Sequence, residues 1–151
     1  LDSQVSVVSP GSFYKVRDLH FGIVAASPLP GTVTVAPNGT RTSTGGVTLI
    51  GNSHYPAEFA GMKPTQPNRP VRMRVGSNTV LLTGPGAPMV VSLFRANTNP
   101  AQTLSTTPRN FQVQQSSNGA FALYVGATLA VNANQQPGTY TGTWTLTLDY
   151  Q

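Results

Sequence analysis

Apolar and polar residues alternate without a slip from Tyr140 to Tyr150, in the closing stretch GTYTGTWTLTLDYQ. Tyr140, Gly142, Trp144, Leu146, Leu148 and Tyr150 fall on one face. Thr141, Thr143, Thr145, Thr147 and Asp149 fall on the other. A strict period of two predicts a β-strand with one buried and one wet face. Eleven residues in that conformation span roughly 36 Å. The stretch holds the single tryptophan of the chain, so it is expected to dock centrally in the fold.

Earlier segments carry the same period in shorter pieces. Leu1 to Ser9 alternates loosely, with Leu1, Val5 and Val7 in phase, and Pro10-Gly11 breaks it. Phe13 to Val24 is strand-like, with Phe13, Leu19, Phe21 and Ile23 on one parity and Tyr14 and Val16 on the other. That change of parity predicts a bulge or bend near Lys15 to Asp18. Thr32 to Ala36 and TRTST flank Pro37-Asn38-Gly39, where Pro presets φ and Asn-Gly supplies positive φ, so a hairpin is predicted. Val71 to Val75 and Thr79 to Thr83 are expected to pair across Gly76-Ser77-Asn78. Phe111 to Gln114 and Phe121 to Val125 are expected to pair across Ser116 to Gly119. Met89 to Phe94 reads as a strong strand and Arg95 to Asn110 as a long polar loop. No segment has helical periodicity. About ten to twelve short candidate strands, separated by frequent turn signals, predict an all-β protein of the β-sandwich kind.

Composition sharpens this picture. The chain of 151 residues is long enough for one domain with a real core. Charged residues make up only 9%, and hydroxyl, amide, Gly and Pro residues fill their place. With 38% apolar residues the profile suits an exported all-β protein rather than disorder. The absence of cysteine excludes a disulfide framework, a thiolate metal site and a cysteine nucleophile. No apolar run is long enough for a spanning helix. A chain that starts LDSQV is expected to be a processed product whose signal peptide has gone.

Candidate chemistry is sparse. The net charge of +5 raises the question of nucleic acid, but the densest basic cluster, Arg69, Arg72 and Arg74, puts Arg72 and Arg74 on the wet face of an alternating strand. Interleaved aromatics and longer basic runs, the usual marks of nucleic-acid readers, are missing. The four carboxylates, Asp2, Asp18, Glu58 and Asp149, lie in unrelated segments, and so do His20 and His54. Nothing in their spacing suggests a glycosidase pair or a metal site, and there is no G-x-S-x-G. The expectation is a protein that is not an enzyme and uses no cofactor or metal.

Both ends of the chain point to a family. GTYTGTWTLTLDYQ resembles the last strand of bacterial chaperone–usher fimbrial subunits, including the spore-coat-U-like subunits of archaic pili. Tyr150 is penultimate and Gly138 is fourteenth from the end, the positions such subunits use. LHFG at Leu19 to Gly22 resembles the segment that opens their first strand, with Leu19, Phe21 and Gly22 as its motif residues. A related uncharacterised family of exported bacterial proteins also matches Gly31 to Leu49 and Val125 to the end.

The resemblance implies an incomplete immunoglobulin-like sandwich, completed when the next subunit inserts an N-terminal donor strand. Residues 1–11 would then be donor segment and linker, and residues 12–151 the pilin-like domain. Leu1, Val5, Val7 and Val8 would be donor side chains. Gly138, Tyr140, Trp144, Leu146, Leu148 and Tyr150 would form the acceptor and chaperone-recognition strand. Identical subunits in a head-to-tail filament, a periplasmic chaperone and an outer-membrane usher are the implied partners, and the cell surface the implied location. Neither nucleic-acid binding nor membrane insertion is implied. For Leu1 to Val8 themselves, a strand completing its own sheet and a disordered leader remain open. For the whole chain, so do a secreted module that binds glycan or surface ligands through its loops and a capsid- or tail-type sandwich.

Overall fold

The computed structural model of the chain describes residue 5 and residues 11–64, 70–98, 101–113 and 119–151. The described residues form thirteen strands and no helix. In chain order they are β1 (Phe13–Arg17), β2 (Ile23–Ala25), β3 (Gly31–Val35), β4 (Arg41–Gly45), β5 (Thr48–Ile50), β6 (Ala57–Met62) and β7 (Val71–Val75). Then come β8 (Val80–Leu82), β9 (Met89–Ala96), β10 (Gln102–Thr103), β11 (Arg109–Phe111), β12 (Ala120–Val131) and β13 (Leu146–Tyr150). The protein is an all-β sandwich of antiparallel sheets.

The long strand β12 organises the larger sheet. Along one edge its first half pairs with β6, from Ala120 opposite Met62 to Val125 opposite Ala57. Its second half pairs with β3, from Ala127 opposite Val35 to Val131 opposite Gly31. The other edge runs against β9. β1 extends the sheet beyond β6, β4 beyond β3, and β8 and β10 beyond β9. The smaller sheet has the order β11-β7-β13, and β2 and β5 form a separate pair.

The core lies between the sheets. Val33, Leu123, Val125, Phe94 and Ala96 of the larger sheet, together with Val71, Met73, Val75 and Phe111 of the smaller one, are almost wholly excluded from solvent. β7 shows how pattern makes structure: Val71, Met73 and Val75 point inward while Arg72 and Arg74 stay wet. In β9 the inward set is Met89 and Val91, then Phe94 and Ala96, a shift of parity within one strand. The extra residue is absorbed at Leu93, whose φ is +56°, opposite a register break between Gly126 and Thr128. This is a β-bulge that keeps both halves of β9 facing the core.

The predicted hairpin at Pro37-Asn38-Gly39 forms as β3 and β4, with Gly39 at φ +90° and Thr40 N donating to Asn38 Oδ1 at 3.0 Å. The predicted irregularity in the first strand appears as a register break between Lys15 and Arg17. Other expected pairings are corrected. Val71–Val75 does not pair with the segment after it: β7 lies between β11 and β13, while β8 joins β9 in the other sheet. Phe111 and Phe121 likewise belong to different sheets, through β11 and β12. At Gly76 to Asn78 the turn signal marks a crossing between layers rather than a hairpin, while Ser116 to Asn118 of the other turn signal lie outside the described residues. The segment after Ala96 is not one loop, since β10 returns along β9, Leu104 is buried and β11 follows.

Candidate functional site

Between the two layers the sandwich is open along one side. A groove of about 1450 Å³ runs there. One wall is the segment from Leu19 to Ala26, which includes β2, and the other is the segment from Gln135 to Leu146. The floor is apolar, with Phe59, Met89, Val91, Phe94, Leu129 and Val131 from the larger sheet. Val80 and Leu82 of β8 line it as well.

Among the described residues β2, in one wall, pairs only with β5, and its other edge is open; of β13, which pairs only with β7, Leu146 alone reaches the other wall. An unpaired edge beside an apolar trench lacks both hydrogen-bond partners and cover from water. The gap is therefore shaped for an extended chain that brings main-chain donors and acceptors together with apolar side chains.

The eleven-residue strand predicted from Tyr140 is regular only at its end, as β13. Its first part follows a different neighbour. Thr141 and Thr83 exchange backbone hydrogen bonds of 2.8 and 3.0 Å just past β8, and Gly76 N donates to Thr145 O at 3.1 Å. The terminal segment thus runs antiparallel to 71–76 and meets the same partner again at Thr83. That partner bends from one sheet to the other, so the ladder is interrupted where it bends. The alternation itself holds: Tyr140, Trp144, Leu146, Leu148 and Tyr150 are half-buried against the core.

The predicted residues divide along the groove. Gly138, Tyr140, Trp144 and Leu146 line it. The Trp144 ring lies 4.8 Å from that of Phe94 and edge-on to that of Phe59 at 5.9 Å. Tyr140 is fixed at both ends of its hydroxyl, donating to Gln136 O at 2.7 Å and accepting from Gly86 N at 3.0 Å. Gly138, at φ +146°, packs so close to Pro85 that a side chain there would collide with the proline ring. Leu148 and Tyr150 lie outside the groove lining, beside Met73 and Val71 of β7. Beyond the groove's end, Phe13 stacks on Phe59 at 5.4 Å, and Tyr150 meets Phe121 edge-on at 6.3 Å. The Tyr150 hydroxyl donates to Ser12 O. Burial pushes its phenol up from the usual value.

Leu19, Phe21 and Gly22 line the opposite wall but sit between β1 and β2 rather than in a strand. His20 pairs there with Tyr55 through backbone bonds of 3.0 and 2.9 Å. Gly22, at φ +82°, turns the chain, so Val24 faces the core and Ile23 is exposed. Ile23 shares the sequence parity of Leu19 and Phe21 but, unlike them, is exposed. Of the donor residues, Leu1, Val7 and Val8 lie outside the described residues, and Val5 is 83% exposed.

Sequence reasoning missed Arg41. Its guanidinium donates to four backbone carbonyls: Phe21 at 2.8 Å, Ile23 at 3.2 Å, Ile50 at 3.1 Å and Gly51 at 2.9 Å. One side chain of β4 thereby ties the β2–β5 pair, and so the first groove wall, to the larger sheet. The polar TRTST pattern of its strand reads only as a wet hairpin arm. Phe59 and Phe94 had a signal, the inward parity of their strands, but nothing local showed that they meet beneath Trp144.

Among the described residues no three of His, Asp and Glu come together as a metal site would need. Geometry therefore defines an all-β sandwich with an open, apolar, edge-lined slot between its layers. The chain belongs to a family described as a domain of unknown function (DUF4402), and the match spans residues 12–150. No curated protein and no solved structure matches it.

Proposed function

We propose that the chain is a structural subunit of an extracellular filament of the fimbrial kind, assembled by donor-strand exchange. The observation that carries this reading is the groove between β2 and the terminal segment, with an apolar floor and the open edge of β2 along one side. Its occupant is Leu1 to Val8 of a second copy. That segment has the alternation a groove strand needs, and it joins the domain at Gly11, where Gly11 N donates to Met62 O at 2.8 Å. Val5 is exposed to solvent rather than covered by its own domain.

Burial of Leu1, Val5 and Val7 contributes about 5 to 9 kcal/mol at about 1.5 to 3 for each, before ordering costs. Main-chain bonds to the open edge of β2 add to this. Because the donated segment and the receiving groove are different surfaces, the contact is heterologous and builds an open filament. Until a neighbour fills it, the groove needs protection, which is the part a periplasmic chaperone would play before delivery to an outer-membrane usher. The resulting filament would serve adhesion or biofilm formation at the cell surface.

Deletion of Leu1 to Ser9 tests this. The full chain is expected to form polymers visible by negative-stain microscopy and ladders that resist SDS. The truncated chain is expected to form neither, and its melting temperature should rise on addition of the peptide LDSQVSVVS. Normal polymerisation of the truncated chain removes the donor role. A full chain that stays a stable folded monomer at high concentration removes the filament.

A further inference from the structure

A second concavity, of about 940 Å³, lies on the face of the larger sheet turned away from the core. Thr34, Tyr124, Thr128 and Arg95 reach it from positions that alternate with the core residues Val33, Leu123, Leu129 and Phe94. The cleft exists because β12 changes partners. β6 runs beside β12 only as far as Val125, and β3 takes over at Ala127. Gly126 lies at the changeover, so close to Val35 O that a side chain would collide with it. The chain turns aside on both sides of this point, at Ala36 to Gly39 and at His54 to Pro56, and these turns form the walls. Across the strand, the bulge at Leu93 lifts an exposed leucine to the rim.

The lining has a definite chemistry. Arg17 and Arg95 both reach it, and among the described residues no Asp or Glu lines it. The Arg17 guanidinium lies 4.6 Å from the centre of the Tyr55 ring and 3.4 Å from Glu58, which stands outside the cleft. The second aromatic is Tyr124. His54 lines the same space, and its buried Nδ1 has no hydrogen-bond partner among the described residues. Thr34 and Thr128 join hydroxyls at 2.9 Å.

We infer that this cleft binds a saccharide carrying a carboxylate, a uronic acid unit of a polymer or oligomer. Guanidinium groups donate and never accept, and their fork matches a carboxylate. Tyr124 offers an apolar ring face with a polar tip, suited to the flat side of a pyranose, while the Tyr55 ring, which also meets His20, holds Arg17 in place. The threonine hydroxyls and His54 supply further hydrogen-bonding groups for ring hydroxyls. The volume suits a short oligosaccharide. This inference does not need the filament reading, since the cleft requires no second copy; the two spaces share Tyr55.

Titration of the full chain with trigalacturonate, by calorimetry and by amide shifts, is the test. Saturable binding is expected, with shifts at Tyr55, Tyr124 and Gly126. Arg95→Gln and Arg17→Gln, each checked for folding by circular dichroism, should each weaken binding about tenfold or more, the loss expected for one charge-assisted hydrogen bond. Arg74→Gln, the same change of charge on β7 outside the cleft, should leave affinity within about twofold. Absence of saturation at about 10 mM overturns the assignment. So does an equal loss in Arg74→Gln, equal affinity for maltotriose, or equally tight binding of inorganic phosphate.

Discussion

The penultimate residue Tyr150 donates its hydroxyl to the carbonyl of Ser12, 138 residues away in the chain. Ser12 O also accepts from Met62 N at 3.2 Å, and the next residue toward the N-terminus, Gly11, donates to Met62 O. The last strand is therefore fastened at the point where the N-terminal segment leaves the domain. In the filament reading this places the root of one subunit's donor beside the aromatic cluster of Phe13, Phe121 and Tyr150.

Tyr150→Phe keeps the ring against Phe121 and removes only the hydrogen bond. A loss of about 0.5 to 1.5 kcal/mol is expected, read from denaturant midpoints at neutral pH. The pH dependence has a definite sign. A phenol whose pKa is raised by burial favours the folded state while it is protonated. That contribution is intact below the ordinary value of 10.0 and is lost as pH rises through the higher folded value. The native chain should lose stability in that alkaline range, and Tyr150→Phe should lose less of it.

Trp144 joins the groove wall to its floor through Phe94 and Phe59. Trp144→Ala should cost about 2 to 4 kcal/mol, near or below the usual range for a large aromatic because part of the ring faces the groove. The variant should also bind an added LDSQVSVVS peptide more weakly. Thermal unfolding with and without the peptide separates the two effects. An unchanged melting temperature would show that the ring contacts carry no stability.

Much of this was legible from alternation alone, because a strand's period of two is a local property. The inward faces of β7 and of the terminal segment, the β3–β4 turn and the break in β1 all follow from neighbouring residues. What failed was long-range. Turn chemistry at Gly76 to Asn78 says that the chain bends, and whether it returns to the same sheet depends on layers formed elsewhere. Parity at Ile23 and Val24 was lost through the positive φ of Gly22. The groove's apolar walls were partly readable, in Trp144, Leu146 and Phe21. Its restraint by Arg41 was not, because all four acceptors of that side chain are carbonyls, which every residue has.

Arg41 makes a quantitative prediction. Arg41→Lys keeps the charge but lacks the planar fork needed to reach both the 21–23 and the 50–51 carbonyls. A loss of about 1 to 3 kcal/mol is expected. Hydrogen exchange should quicken most at the amides of Val24 and Leu49, while those of Leu123 and Leu129 in the central strand slow or quicken only with global stability. Uniform acceleration across the sandwich would mean that Arg41 supports the whole fold and not this wall in particular.

Leu93 holds a left-handed backbone conformation in the middle of β9, at φ +56°, and is 58% exposed. For an L-residue other than Gly, Asn or Asp that conformation costs about 1 to 2 kcal/mol. The bulge must be kept, because without the extra residue Phe94 and Ala96 would turn away from the core. Asparagine tolerates the conformation through local hydrogen bonding, and little buried apolar surface is forfeited at an exposed site. Leu93→Asn should therefore stabilise the chain by about 0.5 to 1 kcal/mol. Leu93→Val, β-branched and less tolerant of positive φ, should destabilise it. Melting temperatures of the two variants moving in the same direction would show that backbone strain at the bulge does not set the stability of this strand.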